Sequence, residues 1–509
     1  MPLDPRTPVL IGQGQALDRN ITPQETKHPV ALMADAVHAA AADAGIPLPR
    51  AIDSVRVVRL LSWKYSNAAH ALAQACGVTA HEYASTPHGG NMPQTLVNTT
   101  ARQIAAGEVD VVVLAGGECT RTRSAVKDAA LLPWPALNDA PPATHIVEDL
   151  ALLNEEETRL GIMLPIQVYP MFETALRAAA QRDIVAHDRH VAELWSRFSS
   201  VAAGNEFAWS REALTAKEVL TVSPDNRMIG LPYRKVMNSN NQVNLAASLI
   251  MCSVERATAL GVPRDRWVFP LAGTDCHEHQ FMSNRWSFAE TPAVARGGRQ
   301  ALELAGLTID DVAFIDLYSC FPSAVQLGAA SLGLGLERPL TLTGGLSFAG
   351  GPWNNYVMHA IATAMRRLRE SPGDKAFIWA NGGYATKHAF GVYATQPATQ
   401  PFRFANPQAD IDALPRRELA LGDDGAGVAT IEAYTVMHDR DGAPEVAQAA
   451  CLLDDGRRAW ATSSDRGLAT AMCSGEWVGR RVRRRGWRGR GRRVRGCFAG
   501  GDWGRRGGG

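Results

Sequence analysis

The same order of predicted helices and strands occurs twice in this chain of 509 residues, about 265 residues apart. Each copy runs from an alanine- and leucine-containing helix, through a strand and a second helix, to an apolar strand followed by two glycines. The first copy comprises 30–44, 52–58, 93–106 and 111–117, and the second comprises 299–305, 310–316, 355–370 and 375–383. Strands that alternate with helices in this way are typical of a parallel sheet covered on both faces. Chance similarity between α/β segments is the alternative, and the repeated order favours an internal duplication.

A glycine-rich loop, Gly344–Pro352, precedes the last helix of the second copy. Ser371-Pro372-Gly373 ends that helix, and the strand Lys375–Ala380 then leads into Asn381-Gly382-Gly383. This unit resembles the second half of thiolases, which carry G-H-P in the loop and C-x-G after the strand. The resemblance covers residues 5 to about 400. It implies a duplicated αβαβα five-layer sandwich built from two βαβαβ-type halves.

The segment 121–240 separates the two halves, and in thiolases the corresponding insertion is a loop domain that covers coenzyme A. Trp195–Asn205 and Val222–Asp225 resemble the branch related to sterol carrier protein x thiolases. Asn238–Ala247 stands where thiolases carry N-A-S-G-x-N-D-G-A-A, with Asn240 in place of the serine. The resemblance therefore implies that this region contacts the pantetheine arm of a ligand.

The pattern changes after residue 408, where short apolar strands alternate with the turn sequences Asp439–Gly442 and Asp454–Gly456. This pattern predicts a small C-terminal all-β domain, which ordinary thiolases lack. It is similar to the appendage of mycobacterial thiolase-like proteins of type 1. We expect a packing or lid role for it, and a second binding site is the alternative.

The tail, residues 480–509, contains 12 arginines and one acidic residue, Asp502, so the rest of the chain is acidic overall. The tail has no periodic apolar face, and it is predicted to be disordered or an aberrant C-terminus. Its arginines and tryptophans could neutralise phosphates and stack on bases, but nucleic acid is not the expected partner. Truncation after Gly479 is expected to leave folding unchanged.

The predicted domain boundaries follow from these patterns. They are 1–120 for the first thiolase half, 121–240 for the cover domain, 241–405 for the second half, 406–479 for the added β domain and 480–509 for the tail. The eight cysteines are scattered without paired spacing, which favours a reducing cytoplasm over a disulfide scaffold. No uninterrupted apolar run of about 18 residues is present, so no membrane span is expected, and the N-terminus lacks the pattern of a signal peptide.

The resemblance places the reactive groups of thiolases at three positions that here hold other residues. The nucleophilic cysteine at the start of the first half's central helix falls at Gly90, the histidine of G-H-P at Gly351, and the cysteine of C-x-G at Ala380. A thiolate at a helix N-terminus is stabilised by the helix dipole, which is why that position suits a nucleophile. Without the nucleophile and its base, ordinary thiolase catalysis is not expected.

Three other side chains are candidates for a rearranged site. Tyr318 and Cys320 lie in the motif that reads N-E-A-F in most thiolases and H-D-C-F in the sterol carrier branch, and here reads Tyr318-Ser319-Cys320-Phe321. Tyr318 could donate a hydrogen bond to an oxygen, whereas Cys320 is also typical of a small buried apolar residue. His88 lies beside the vacated cysteine position and could act as a base or a donor.

Glycine and asparagine residues of the same loops are the predicted ligand contacts, because backbone N–H groups at a helix N-terminus can hold an oxyanion or carboxylate. They are Gly89, Asn91, Asn238, Asn240, Gly350 and Asn381. Lys387-His388 is predicted to lie at the surface, with access to the pocket as the alternative. Cys276–His279 has metal-binding residue types but no second ligand pair at standard spacing, so no metal site is predicted.

Two functions remain open from the sequence. The first is a thiolase-like protein that binds acyl-CoA or a related thioester but lacks ordinary thiolase activity. The second is an active acyltransferase of lipid metabolism that uses the rearranged site. The resemblance places either one among the acetyl-CoA acetyltransferases. Both imply a coenzyme A thioester as ligand or substrate, no separate cofactor, a cytoplasmic location, and a homodimer or monomer.

Overall fold

The computed structural model describes residues 3–20, 22, 25–126, 128–398 and 400–484. The strands are β1 Pro8–Leu17, β2 Ala51–Val57, β3 Thr79–Ser85, β4 Val111–Cys119, β5 Thr144–His145, β6 Met228–Gly230, β7 Tyr233–Arg234, β8 Asn244–Ser253, β9 Phe269–His277, β10 Phe314–Leu317, β11 Lys375–Gly382, β12 Lys387–Ala394, β13 Arg403–Ala405, β14 Gly427–His438, β15 Pro444–Leu453, β16 Arg458–Ser463 and β17 Arg481–Arg484.

The α-helices connect these strands. They are α1 Pro29–Ala44, α2 Ala68–Ala75, α3 Met92–Ala106, α4 Thr120–Ala125, α5 Glu155–Leu160, α6 Pro165–Ala179, α7 Ile184–Gly204, α8 Ala216–Leu220, α9 Val254–Ala259, α10 Pro292–Ala305, α11 Pro322–Leu332, α12 Gly345–Phe348, α13 Tyr356–Glu370, α14 Gln408–Asp412 and α15 Arg466–Cys473. Proline in the first turn and a left-handed glycine after the last turn define several of them, as in α1 with Pro29 and Gly45 (φ 72°).

The first sheet has the strand order β1-β8-β4-β2-β3-β5. Strands β4, β2, β3 and β5 are parallel, whereas β8 runs antiparallel to both β1 and β4. The prediction of a parallel sheet is therefore correct for one part only. Every residue of β4 and β8 is buried, and a continuous apolar sequence does not indicate the direction in which a strand runs.

The second sheet has the order β10-β11-β12-β9-β13 and repeats the plan of the first. Helices α3 and α13 lie between the two sheets, because α3 packs on β11 and β12 as well as on β8 and β4. Helix α1 covers the outer face of the first sheet, and α10 covers the outer face of the second. The layers are thus helix, sheet, helix, sheet, helix, which confirms the predicted α/β sandwich.

The added C-terminal region forms a third, antiparallel sheet in which β14, β15 and β16 pair in sequence, with α15 packed against it. Strand β6 from the cover segment pairs with β14, and α6 packs on the same strand. The cover segment and the added domain therefore share one sheet, although they lie about 200 residues apart in the chain. No helix among the described residues is both long enough and apolar enough to cross a membrane.

Strand β17 corrects the predicted start of the disordered tail. Residues Arg481–Arg484 pair with Gly427–Thr430 of β14. The side chain of Arg484 is buried, its Nε donates to the carbonyl of Trp460 at 2.8 Å, and its Nη2 lies 3.8 Å from Glu156 Oε1. The predicted boundary at 479 is therefore too early, and residues 485–509 of the predicted tail lie outside the described residues.

Truncation after Gly479 is accordingly expected to destabilise the protein, contrary to the expectation from sequence. The loss of one strand and of the buried Arg484 contacts should lower the free energy of unfolding by about 2–4 kcal/mol relative to a chain that ends at Arg484. Urea unfolding followed by circular dichroism measures the difference. Equal midpoints for the two truncated chains would show that β17 contributes nothing to stability.

Candidate functional site

A cavity of about 400 Å³ lies where the two halves meet the cover segment. Its walls come from the start of α3, the start of α6, the loop after β10, the loop before α13 and the end of β11. The lining residues are His88, Gly90, Leu152, Met163, Leu164, Pro165, Ile166, Tyr169, Ser239, Asn241, Tyr318, Cys320, Phe321, Leu346, Trp353, Asn354, Asn381, Gly382, Gly383 and Tyr384. Apolar side chains of the cover segment therefore face a more polar wall built from the two halves.

Five residues singled out from the sequence line this cavity together: His88, Gly90, Tyr318, Cys320 and Asn381. The other predicted ligand contacts are not part of the lining; these are Gly89, Asn91, Asn238, Asn240 and Gly350. Gly351 and Ala380, which stand at the positions of the thiolase histidine and second cysteine, are not part of it either. In the 238–241 loop the alternate residues Ser239 and Asn241 face the cavity instead.

Gly90 leaves no room for the side chain that the thiolase pattern would place there. A Cβ atom at Gly90 would lie 2.3 Å from the hydroxyl oxygen of Tyr318 and 2.5 Å from the carbonyl oxygen of Asn381. Real Cβ atoms do not approach other heavy atoms so closely. The hydroxyl of Tyr318 has thus taken the space of the missing side chain.

Gly351 shows the same relationship in the second half. A Cβ atom at Gly351 would lie 2.3 Å from the hydroxyl of Ser239 and 3.0 Å from Asn241 Oδ1. Hydroxyl and amide groups from neighbouring segments therefore fill the positions to which the resemblance assigns a thiol and an imidazole. These groups can bind a ligand oxygen, but none of them is a nucleophile at neutral pH.

The two candidate acids of the Tyr318–Phe321 motif both keep their protons. Burial raises the pKa of Tyr318 well above its ordinary value, and the neighbouring Cys320 and Tyr356 raise it further. Burial also raises the pKa of Cys320 to about 12. Since the thiolate is the reactive form of cysteine, Cys320 is a poor nucleophile in this environment.

His88 is neutral at pH 7 and lies beside a buried cation. Burial lowers the pKa of His88 below its ordinary value, and the positive charges of Lys387 and Arg59 lower it further. The Lys387 ammonium donates a hydrogen bond to the carbonyl of His88 and lies 3.6 Å from Asp149 Oδ1. Lys387 therefore holds the loop before α3 against strand β12.

The prediction that Lys387 and His388 lie at the surface is wrong. Both are buried in β12, where their exposed fractions are 6% and 1%. Helices α3 and α10 pack on this strand from the two sides of the sheet, so side chains on both of its faces are covered. Burial lowers the pKa of His388 well below its ordinary value.

Residues that the sequence did not single out hold the glycine loops in place. Asn354 Oδ1 accepts from the N–H of Gly89 at 3.0 Å, and its Nδ2 donates to the carbonyl of Arg59 at 2.9 Å. Asn355 Nδ2 donates to the carbonyl of Gly116 at 2.6 Å. Two adjacent asparagines after a glycine-rich loop were the only available signal, and their partners lie more than 200 residues away.

The Cys276–His279 segment is structural. Cys276 Sγ donates to the carbonyl of Ala293, and Glu278 Oε1 accepts from the N–H of the same residue at 2.9 Å, so both side chains hold α10 against β9. His277 Nδ1 lies 2.7 Å from the carbonyl of Glu278. Within the described parts of the chain, no group of three histidine, cysteine or acidic side chains is placed to hold a metal ion.

Comparison with known proteins agrees with this architecture. Residues 407–486 match the family described as "Thiolase-like protein type 1 additional C-terminal domain". A search of curated protein sequences finds no match. The family match extends through β17, in agreement with its place in the third sheet.

Three solved structures illustrate the range of similarity. A monomeric SCP2-thiolase-like protein type 1 from Mycobacterium smegmatis is 33% identical, with 96% of this chain and 98% of that chain covered and a TM-score of 0.81. The Ltp2–ChsH2(DUF35) aldolase is 18% identical over 77% of this chain and 98% of that chain, with a TM-score of 0.58. The dimeric peroxisomal thiolase of Saccharomyces cerevisiae is 13% identical over 78% of this chain and 99% of that chain, with a TM-score of 0.56.

The last two similarities show the fold alone, whereas the first extends over nearly the whole chain and includes the added domain. The resemblance to thiolases found in the sequence is thereby confirmed. The chain belongs to the SCP2-thiolase-like protein type 1 family of the thiolase superfamily.

Proposed function

We propose that this protein binds an acyl-CoA or a related thioester in the cavity and does not form an acyl-enzyme by the thiolase route. The observation that carries the proposal is the Tyr318 hydroxyl, which occupies the space of a side chain at Gly90. An acyl-enzyme needs a thiolate or an activated hydroxyl at the reacting carbon. The cavity offers instead a protonated tyrosine, a protonated thiol and a neutral imidazole.

The lining suits a ligand with an apolar group and a polar thioester. Leu152, Ile166 and Leu346 supply apolar contacts, whereas Tyr318 and Asn381 supply hydrogen-bonding groups. Met163 and Leu164 are 42% and 53% exposed and also line the cavity, so they lie at its opening. A thioester can enter with its acyl group against the apolar wall and its carbonyl oxygen toward the donors.

We also propose a cytoplasmic monomer with a role in lipid metabolism. The described cysteines are all free, which suits a reducing compartment. Strand β5 pairs with the outer side of β3 at Ala84 and Ser85, so part of the edge of the first sheet is covered within the chain. The Mycobacterium smegmatis relative is monomeric.

Incubation with acyl-CoA labelled in its acyl group tests the proposal. Calorimetry is expected to detect reversible binding, and mass spectrometry after acid quenching is expected to find no acyl group on the protein. The variant Met163→Trp should narrow the opening and weaken binding at least tenfold, whereas Val185→Trp, at a site 71% exposed on α7, should not change it.

Two results would contradict the proposal. If neither CoA nor any acyl-CoA binds, the cavity has another ligand. If a peptide containing Cys320 carries the acyl group, the protein is instead an acyltransferase that uses the rearranged site with His88 as base and Tyr318 as donor.

A further inference from the structure

Two polar side chains of the cavity have hydrogen-bonding atoms that a ligand can reach and that lack a partner in the protein. The Tyr318 hydroxyl forms no hydrogen bond with any described residue and is not enclosed by protein atoms, although the residue as a whole is only 7% exposed. The two ring nitrogens of His88 are likewise without a partner among the described residues and are not enclosed. Both side chains can therefore contact a molecule in the cavity.

These two groups offer a ligand different chemistry. The Tyr318 hydroxyl keeps its proton and is a hydrogen-bond donor, whereas His88 is a neutral imidazole with one nitrogen free to take up a proton. The described residues that line the cavity include no acidic or cationic side chain. Among these lining residues, His88 is therefore the only side chain that can act as a base near pH 7.

The backbone that carries His88 is held in a fixed position. The peptide bond after His88 is held at both ends, because the His88 carbonyl accepts from the ammonium of Lys387 and the N–H of Gly89 donates to Asn354 Oδ1 at 3.0 Å. A base on a fixed backbone loses little freedom when it meets a ligand, which favours catalysis over a mobile loop.

The base and the donor lie within the span of one small ligand. The Tyr318 hydroxyl oxygen is 2.3 Å from the Cβ position of Gly90, and the Tyr318 ring packs edge-on against Tyr356. The Cα atom of His88, two residues earlier in the chain, is at most about 7 Å from that of Gly90. A carbonyl oxygen that accepts from Tyr318 can thus have its neighbouring carbon beside the imidazole.

We infer that the cavity catalyses reversible removal of a proton from the α-carbon of a bound acyl thioester, an inference that rests on the proposed binding of acyl-CoA. The imidazole of His88 takes the proton, and the electron pair of the broken C–H bond forms the carbon–carbon double bond of an enolate. The enolate oxygen carries the negative charge and accepts from the hydroxyl of Tyr318. Return of a proton from the imidazolium to the same carbon restores the thioester. The cycle needs no nucleophile and no further reactant, and the carbon–sulfur bond stays intact.

Exchange of the α-protons of butyryl-CoA and octanoyl-CoA in heavy water tests this inference. At saturating ligand, proton NMR is expected to show loss of the α-proton signal about a thousandfold faster with the unmodified protein than in buffer. His88→Asn and Tyr318→Phe should each slow the exchange about a hundredfold, since a general base and an oxyanion donor make contributions of that size. Calorimetry should find that either variant binds the two compounds within about tenfold of the unmodified affinity, because at most one hydrogen bond is lost.

Two matched controls accompany these variants. Tyr384 also lines the cavity, but its hydroxyl already donates to the carbonyl of Met163, so Tyr384→Phe removes no group that is open to the ligand. His145 of β5 is exposed and is not part of the cavity lining, so His145→Asn removes an imidazole elsewhere. Both controls should exchange the α-protons at the rate of the unmodified protein.

The possible failures separate this inference from the proposed function. Binding of either compound to the unmodified protein without α-proton exchange would overturn the inference and leave the proposed function intact. Exchange at an unchanged rate in His88→Asn would also overturn it, because another group would then be the base. A loss of exchange that only follows a loss of affinity would assign the two side chains to binding alone and would count against it equally. If neither compound binds, the proposed function and this inference fail together.

Discussion

Replacement of Gly90 by cysteine is expected to destabilise the protein by about 3 kcal/mol and to produce no thiolase activity. The new Cβ atom would lie 2.3 Å from the hydroxyl oxygen and 2.8 Å from the Cζ atom of Tyr318. The ring of Tyr318 is 7% exposed and packs edge-on against Tyr356, with ring centroids 5.8 Å apart, so it has little space to move. The backbone carbonyl of Asn381, 2.5 Å away, belongs to a central strand and cannot withdraw without disturbing β11.

Urea unfolding and a thiolytic assay with acetoacetyl-CoA measure the two effects. Gly335→Cys is the control, since this exposed glycine has open space around its Cβ position and should tolerate the same change. Combining Gly90→Cys with Tyr318→Ala should recover part of the lost stability, because the clash with the tyrosine is removed. The recovery should be incomplete, because the close contact with the carbonyl of Asn381 persists. A Gly90→Cys protein that is as stable as the unmodified chain and cleaves acetoacetyl-CoA would contradict this prediction. It would show that the nucleophilic thiol is the one group that the site needs for thiolase activity.

The layered fold could be predicted from the sequence because its signals are local. Glycines end the helices, buried strands are continuous apolar runs, and the duplication repeats both. The antiparallel direction of β8 could not be predicted, because a strand buried on both faces has the same apolar pattern in either direction. The strand predicted at 310–316 occupies Phe314–Leu317, since residues 309–311 form a helical turn.

The candidate site could be predicted only in part, because local sequence patterns do not show which distant residues come into contact. Motif positions identified Gly90, Tyr318 and Asn381, but not the fact that the hydroxyl of Tyr318 fills the space above Gly90. That relationship joins residues more than 200 positions apart, and so does the hydrogen bond between Tyr169 and Asn381. Contacts of this kind depend on how the halves and the cover segment pack, which no local pattern records.

The arginine-rich sequence after residue 479 predicts a disordered tail, because charge runs usually remain solvated. In Arg481–Arg484, however, the β14 edge supplies hydrogen bonds for the backbone, and distant Glu156 lies near the buried guanidinium of Arg484. A strand with a buried arginine cannot be distinguished from a disordered basic tail without knowledge of that partner.

Replacement of Arg458 by methionine is expected to destabilise the protein by about 3–5 kcal/mol, because it leaves a largely buried carboxylate unpaired. The Arg458 side chain is fully buried, and its Nε and Nη2 atoms donate to the two carboxylate oxygens of Glu432 at 2.8–3.0 Å. Its Nη1 atom donates to the carbonyls of Ser283, at 2.9 Å, and of Arg285. Arg458 thereby fastens the added domain to the second thiolase half.

This connection continues to the wall of the cavity. Arg285 Nη2 donates to the carbonyl of Tyr384 at 3.0 Å and to that of Ala385, and Tyr384 lines the cavity. Loss of Arg458 should therefore weaken acyl-CoA binding as well as stability, which a surface appendage would not do. Arg481→Met is the matched control, because its ion pair with Asp454 at 3.0 Å is exposed on both sides and should contribute at most about 1 kcal/mol.

The pH dependence of the Arg458→Met defect identifies its cause. Burial already raises the pKa of Glu432 above its ordinary value, while Arg458 opposes the shift. Without Arg458 the folded-state pKa rises further, so the folded protein favours the protonated acid more strongly than the unfolded chain does. The variant should then approach the unmodified protein in stability near pH 4.5 and fall increasingly below it as the pH rises toward 7.

Glu432→Gln in the Arg458→Met background should remove that pH dependence and recover part of the stability, because no buried carboxylate remains to be ionised. Urea unfolding of the unmodified protein, the two single variants and the double variant at pH 5 and pH 7.5 gives the coupling between the two side chains. A defect of equal size at both pH values would mean that lost packing, and not the unpaired Glu432, destabilises Arg458→Met. In that case apolar contacts would hold the added domain against the second half, and the positive charge of Arg458 would not be needed for stability.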